Sequence, residues 1–500
     1  MTCARRHILA GQCNNTIVTV RVSELFDLGT SQGGLDFVDV DVAGDTPVYI
    51  DPRAIRTQEG DWAESCVGLL QSYFESLLEA VRNGEAGQIA YLLMPTFEPN
   101  ETHLGESKGS AAGRGLGAGR KAAKLVEALI NSSAVQSGLL SDLEETALFI
   151  PGIGRDTISD ITTNVIRGPL IRYTQEVCAI YDIPLEMQHS GFGWSDRART
   201  WVDSQVALPR AKGNKLLLVP RSIVRFDPIL DTGRYFRGYL RPYFEARELD
   251  NPNSQLVRVL KSGRRQVRLG ELEDLLGTGK LDVASHTEEF PQALGEYVNS
   301  TNYRKSPAPT TSDYEAGELS DPVDYKGLYE SVLAIAPGRP GASAYHRAIA
   351  SLLSAIFEGA LGNIEIEHPL HDGRKRLDIK FDNIAGSGFF RWLSLHKNSA
   401  IVPVECKNYS TDPTNPEVDQ LAMRLSPERG QVGIMVCRQI QDRTRLLERQ
   451  RDVLRDGHGY IIVLDDNDLL TLAEMAESNR YESAKRLRFS LLRSQFDQLL

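Results

Sequence analysis

The sequence is short of several things, and each shortage excludes a class of protein. Its six cysteines (Cys3, Cys13, Cys66, Cys178, Cys406, Cys437) form no CxxC pair. That excludes a zinc ribbon and a disulfide framework and fits a reducing cytoplasm. No apolar run approaches ~18 residues, so no membrane-spanning helix is expected. The Ile8–Ala10 stretch after Arg5 and Arg6 is too short for a signal peptide. Positive charge is in deficit: 56 Lys and Arg against 67 Asp and Glu give a net charge of −11, unlike a general nucleic-acid coat. Local basic surfaces can still hold phosphate, because affinity depends on where Lys and Arg sit. There is no internal repeat, and no GxxxxGK[ST] spacing to support ATP hydrolysis.

What is present fits a globular chain. Hydrophobic residues make up 41% and charged residues 25%. A length of 500 residues implies two to four domains. Residues 1–302 read as a mixed α+β recognition or regulatory region, with a subdomain break near 190–215. Residues 303–326, Pro/Ser/Thr-rich and then acidic, read as a linker. A catalytic-type domain follows over 327–480, and a C-terminal helix over 481–500.

The chemistry-bearing pattern lies in two strand-like segments, RLDIKF over Arg376–Phe381 and IVPVECKN over Ile401–Asn408. Strand side chains alternate between faces. Leu377, Ile379 and Phe381 therefore face a core, and Asp378 and Lys380 face away from it. Glu405 and Lys407 project together, with Val404 and Cys406 opposite. Two carboxylates can hold a hard divalent cation through oxygen. A neighbouring ammonium can orient water or stabilise a charged phosphoryl transition state. Singly, Asp378 and Glu405 read as solvated strand residues. Acidic residues are depleted in strands, however, and two on successive strands with a lysine two further on favour a site.

The flanking order is consistent with that reading. Tyr345–Gly359 has helical apolar spacing, and Asn363–Leu370 alternates as a strand. After the Glu405 strand, Pro416 starts a helix near Glu417. Val432–Cys437 is a buried-type strand, Gln441–Arg455 a basic helix and Tyr460–Leu464 another buried strand.

This order, with Gly373-Arg374-Lys375-Arg376-Leu377-Asp378 and Val404-Glu405-Cys406-Lys407-Asn408, resembles the PD-(D/E)XK nuclease superfamily of restriction endonucleases and Holliday-junction resolvases. The resemblance covers roughly residues 344–472 and lacks the proline of the family's name. It implies an α/β multidomain protein whose C-terminal core is restriction-endonuclease-like (αβββαβ, mixed central sheet). It implies a Mg²⁺-dependent endonuclease, with Mn²⁺ able to substitute, acting on DNA. Asp378 and Glu405 would be the metal ligands. Glu358, ending the first helix, would be a third or water-bridged carboxylate. Lys407 would stabilise charge or orient the attacking water, and Gln420 would support it. Restriction or antiviral defence in a prokaryotic cytoplasm, and a homo-oligomer, follow by the same analogy.

Rival readings stand beside these. Glu365 and Glu367 are competing carboxylates, Glu358 reads equally as a helix-terminal residue, and Gln420 as a surface or cap residue. Arg374, Lys375 and Arg376 form a solvated turn or contact phosphate, with Asn408, Arg445 and Arg449 as further expected nucleic-acid contacts. Cys406 reads as a core thiol. The segment Arg221–Arg247 interleaves arginines with Tyr235, Phe236, Tyr239 and Tyr243, as a base-stacking surface or an amphipathic packing segment. Asp36, Asp39, Asp41, Asp45 and Asp51 could gather a cation or serve turns. The glycine-rich Gly105–Gly119 loop could receive a small signalling ligand, and the N-terminal region a partner protein. The alternatives for function are a catalytically inert nucleic-acid-binding scaffold, an RNase, or a signal-activated nuclease.

Overall fold

The structure, a computed structural model, describes residues 19–58, 60–94, 99–105, 120–140, 142–227, 230–300, 308–317, 319–320, 322–370, 375–386, 388–427, 430–478 and 490–500. It is a mixed α/β protein with a five-stranded mixed sheet in its C-terminal part. Among the described residues no helix is long and apolar enough to cross a membrane. Most of the Gly105–Gly119 loop lies outside the described residues.

The N-terminal part is organised on the helix Asp61–Arg82, which buries Cys66, Leu70, Tyr73, Phe74, Leu77 and Val81. Their i, i+3 and i+4 spacing makes one apolar face. Tyr73 meets both Trp194 and Trp201 at ring-centroid distances of 5.4 Å. Those tryptophans are cross-strand partners in the pair Gly193–Ser195 and Thr200–Val202. Residues 190–215 thus share the core of the long helix, and the subdomain break expected there is corrected.

Strand alternation fails over Gly33–Asp51. Phe37, Val38, Val40, Val42 and Val48 are all buried, and only Tyr49–Ile50 pairs as a strand, with Val224–Arg225. The backbone bonds scattered partners instead, such as Val38 N to Val219 O and Val42 N to Val20 O. The aspartates are spent the same way. Asp39 accepts the Ser23 N–H at 2.8 Å, Asp41 the Val20 N–H at 3.0 Å, and Asp51 the Arg53 N–H at 3.0 Å. Turn and cap chemistry, not a shared cation, accounts for these three. The Arg221–Arg247 segment is likewise a packing element. Tyr235 and Phe236 are in the core, Arg221 and Arg225 are buried, and Arg247 pairs with Glu289 at 2.5 Å.

The expected 303–326 linker is also corrected where it is described. Tyr314 packs against Phe226 in the N-terminal core, and Val323 and Tyr325 enter the C-terminal one. Their apolar surface outweighs the polar composition around them.

The C-terminal part runs α1 (Ala342–Ile356), β1 (Leu361–Leu370), β2 (Lys375–Asn383), α2 (Gly388–Lys397), β3 (Ile401–Lys407), α3 (Asn415–Ala422), β4 (Val432–Cys437), α4 (Arg443–Arg455), β5 (Tyr460–Leu464), α5 (Asp466–Ser478) and α6 (Ser490–Leu499). The sheet order is β1-β2-β3-β4-β5. The first three strands are antiparallel, and β3, β4 and β5 are parallel. α2 joins β2 to β3; it is helical because Phe389, Phe390 and Leu393 bury one face. Ile379, Phe381, Val402, Val404 and Cys406 face one core with α1, α5 and α6. Met435, Cys437, Ile461 and Val463 face the other, under α3 and α4. α3 begins where the sequence indicates. Thr414 and Glu417 form a capping box, and proline occupies the first turn.

Candidate functional site

The β2–β3 register runs from Asp382↔Ile401 to Ile379↔Val404. One residue beyond, the Asp378 side chain reaches across, and its Oδ2 accepts the Cys406 N–H at 2.8 Å. This pins the carboxylate between Glu405 and Lys407 in sequence. Strand alternation puts those two on the sheet face opposite Val404 and Cys406. There Lys407 Nζ donates to Glu405 Oε1 at 2.8 Å and to Gln420 Oε1 at 3.0 Å. Arg424, in the turn just after α3, lies against Glu405 Oε2. Asp378, Glu405, Lys407 and Gln420 are therefore brought together.

The site is a compact, charge-balanced set. The Glu405 side chain is 1% exposed, Lys407 10%, and Asp378 19%. Two anions sit with two cations, as burial demands. Burial holds the Lys407 ammonium below the ordinary lysine value, and the charges of Asp378 and Glu417 pull it back up. Burial also lowers Arg424, with Asp378 opposing. It pushes the Cys406 thiol well up, with Asp378 adding to the effect, so Cys406 is a core thiol rather than a nucleophile.

Glu358 is not in this site, which corrects its expected role. Its Oε1 accepts the Thr311 N–H at 2.6 Å and pairs with Arg221 at 3.0 Å. It lies in the turn past the C-terminal end of α1, whereas the residue that does approach Asp378 is twelve residues earlier, in the first turns of that helix. That residue is His346, whose Nε2 is 3.8 Å from Asp378 Oδ2. Its buried Nδ1 has no hydrogen-bond partner among the described residues. Glu365 pairs with Lys380 at 2.6 Å.

The expected nucleic-acid contacts divide. Asn408 is corrected: its Nδ2 donates to Ala336 O and Gly338 O, both at 3.1 Å, and its Oδ1 accepts from Arg438 at 2.9 Å. It clasps the turn before α1 and is buried. Arg449 donates to Pro413 O at 2.5 Å, and Arg445 is exposed. Arg374 and the side chains of Lys375 and Arg376 lie outside the described residues.

Sequence reasoning missed His346 and Arg424. Arg424 carried no periodic signal, because it lies in the turn past the end of α3, where the helical i, i+4 face no longer applies. His346 carried none, because only packing of α1 brings it to β2.

The donor set can be tested against a divalent cation. Among the described residues no three His, Cys, Asp and Glu side chains gather as ligands. Two carboxylates suffice for a Mg²⁺ that keeps most of its waters. Asp378 Oδ1 accepts no hydrogen bond among the described residues. Both Glu405 oxygens, by contrast, are engaged by Lys407 and Arg424. The set fits such an ion once one of those cations gives way.

Residues 27–231 match a family model described as a domain of unknown function (DUF8370), a stretch that ends before the sheet. No curated protein and no solved structure matches the chain.

Proposed function

We propose that the chain is a Mg²⁺-dependent endonuclease that hydrolyses phosphodiester bonds in DNA, with its N-terminal part recognising substrate or an activating signal. The single observation carrying this is the meeting of Asp378, Glu405, Lys407 and Gln420 at one end of β2 and β3. α1, the antiparallel strands β1, β2 and β3 with α2 set between the last two, then α3 and the parallel strand β4, support a restriction-endonuclease-like core with one inserted helix. The resemblance to a PD-(D/E)XK pattern is carried by Asp378, Glu405 and Lys407.

The ion would be held by Asp378 and Glu405, and when bound it would supply charge neutralisation at the phosphoryl oxygens and a more acidic water. The chain's own residues do the rest. The Cys406 N–H fixes the rotamer of Asp378. Lys407 presents a positive charge to the negative charge developing on the phosphoryl oxygens, and Gln420 fixes the direction of that ammonium. A prokaryotic restriction or defence role, and a homo-oligomer in which two sites cut two strands, extend the same reading.

One observation favours a second reading, an inert nucleic-acid-binding scaffold: Glu405 already has two cationic partners. Plasmid nicking by the purified chain in Mg²⁺ and in EDTA, beside Asp378→Ala and Lys407→Ala, separates the two. Nicking by the wild type alone, abolished by EDTA, supports the nuclease. No nicking by any preparation, with plasmid still bound, supports the scaffold. Equal nicking by all three is contamination. Parallel RNA and DNA substrates decide the polymer.

A further inference from the structure

The geometry points to Arg424 as a built-in competitor for the metal position, a positioning residue that leaves Glu405 only when a phosphate-bearing strand arrives. The inference rests on the nuclease reading and adds how that site is loaded.

Three observations carry it. Arg424 lies against Glu405 Oε2 while Lys407 holds Oε1 at 2.8 Å, so one carboxylate carries two cations. Arg424 is itself buried, with its side chain 8% exposed, and its buried Nη1 has no hydrogen-bonded acceptor among the described residues, so Glu405 holds it by charge alone. It stands just beyond the last turn of α3, and its N–H bonds Leu421 O. The guanidinium is therefore carried by a helix end rather than held in a strand ladder.

The consequence is electrostatic. With Asp378 and Glu405 matched by Lys407 and Arg424, the site is neutral. Adding a divalent cation beside two organic cations would leave a large uncompensated charge in a poorly solvated place. Two events remove that penalty: withdrawal of Arg424, or arrival of a phosphodiester that brings negative charge. A guanidinium released from Glu405 is suited to bidentate contact with phosphate. Metal and DNA then bind cooperatively, and linkage makes the coupling reciprocal. The substrate-free protein is kept metal-poor, and cutting waits for a correctly seated strand.

Mn²⁺ binding to the full-length chain, measured by titration calorimetry without nucleic acid, tests this. Arg424→Gln and Arg424→Met are expected to bind Mn²⁺ about tenfold or more tightly than wild type, a typical coupling size. Arg424→Lys should stay near wild type, and Asp378→Asn should bind none. In wild type, an uncleavable phosphorothioate DNA duplex should raise Mn²⁺ affinity by a similar factor, and it should raise it little in Arg424→Gln. This second measurement decides the matter even where neither neutral variant folds. Equal or weaker Mn²⁺ binding by folded Arg424→Gln, or no effect of the duplex on wild type, overturns the inference and leaves the nuclease reading standing. If neither wild type nor variant binds Mn²⁺ with or without duplex, both fail.

Discussion

Asp378 is joined to Cys406 by a hydrogen bond from backbone to side chain: Oδ2 accepts the Cys406 N–H at 2.8 Å, one residue past the end of the β2–β3 register. The bond needs an oxygen acceptor but not a charge, so shape and charge at this position can be separated. Asp378→Asn keeps an amide oxygen for the Cys406 N–H and removes the negative charge. The variant removes one anion from a buried set of four charges and is expected to lose about 1–3 kcal/mol of stability while still folding. Its DNA cleavage is expected to fall about 10²–10³-fold, the scale of losing one preorganised electrostatic group. Urea unfolding beside initial nicking rates checks this; a variant that cuts normally removes Asp378 from the chemistry.

Glu358 should behave as structure, not as a ligand. It pairs with the buried Arg221 and accepts the Thr311 N–H, tying the end of α1 to the N-terminal part. Glu358→Ala strands that guanidinium, although Gln32 O still accepts from it at 3.2 Å. A loss of about 3 kcal/mol is expected, the low end for breaking a buried pair. Metal affinity should be unchanged. Denaturant midpoints and Mn²⁺ titration on the same preparation test both halves, and a weakened metal with intact stability would return Glu358 to the site.

Asn408 makes the same kind of case on the other side of β3. Asn408→Ala deletes two donated bonds and one accepted from Arg438. Stability should drop by about 2–4 kcal/mol, since buried groups are left unsatisfied. DNA affinity, read by fluorescence anisotropy at a temperature where the variant is folded, should not change.

Asp382 supplies a pH dependence. It is buried near the end of β2, and burial pushes its carboxyl up to about 6, with Lys380 and the Asn363 amide opposing. The folded state therefore binds this proton more tightly than the unfolded state does. Its contribution is complete below the ordinary aspartate value near 4 and is lost as pH rises through about 6. Between those limits the wild type should lose roughly 1–3 kcal/mol through this group on going to neutral pH. Asp382→Asn should flatten that slope. Urea midpoints at closely spaced pH values between 4 and 7 decide it; a variant with the slope of wild type shows that another group is responsible.

Much of the C-terminal order was legible because its signals are local. A period of two told which of Val404, Glu405, Cys406 and Lys407 share a face, and the ion pair at 2.8 Å with Cys406 in the opposite core agrees. Pro416 in the first turn marked the start of α3, and the apolar runs Val432–Cys437 and Tyr460–Leu464 marked the buried strands β4 and β5, the second at the sheet edge. The N-terminal part was less legible. There the consecutive residues Phe37, Val38, Asp39 and Val40 are all buried and the backbone bonds distant segments, so no strand period operates.

What the chain's own letters determined is the pairing of Glu405 with Lys407 and the strand that offers Asp378. Each depends on backbone geometry that repeats within a few residues. Tertiary structure alone decided that α1 brings His346 rather than Glu358 toward Asp378, that Arg424 lies on Glu405, and that Asn408 is a clasp. Those choices depend on where helix ends come to rest against strand ends. That is set by burying apolar faces and pairing buried charges across the whole core, and no period within a segment encodes it.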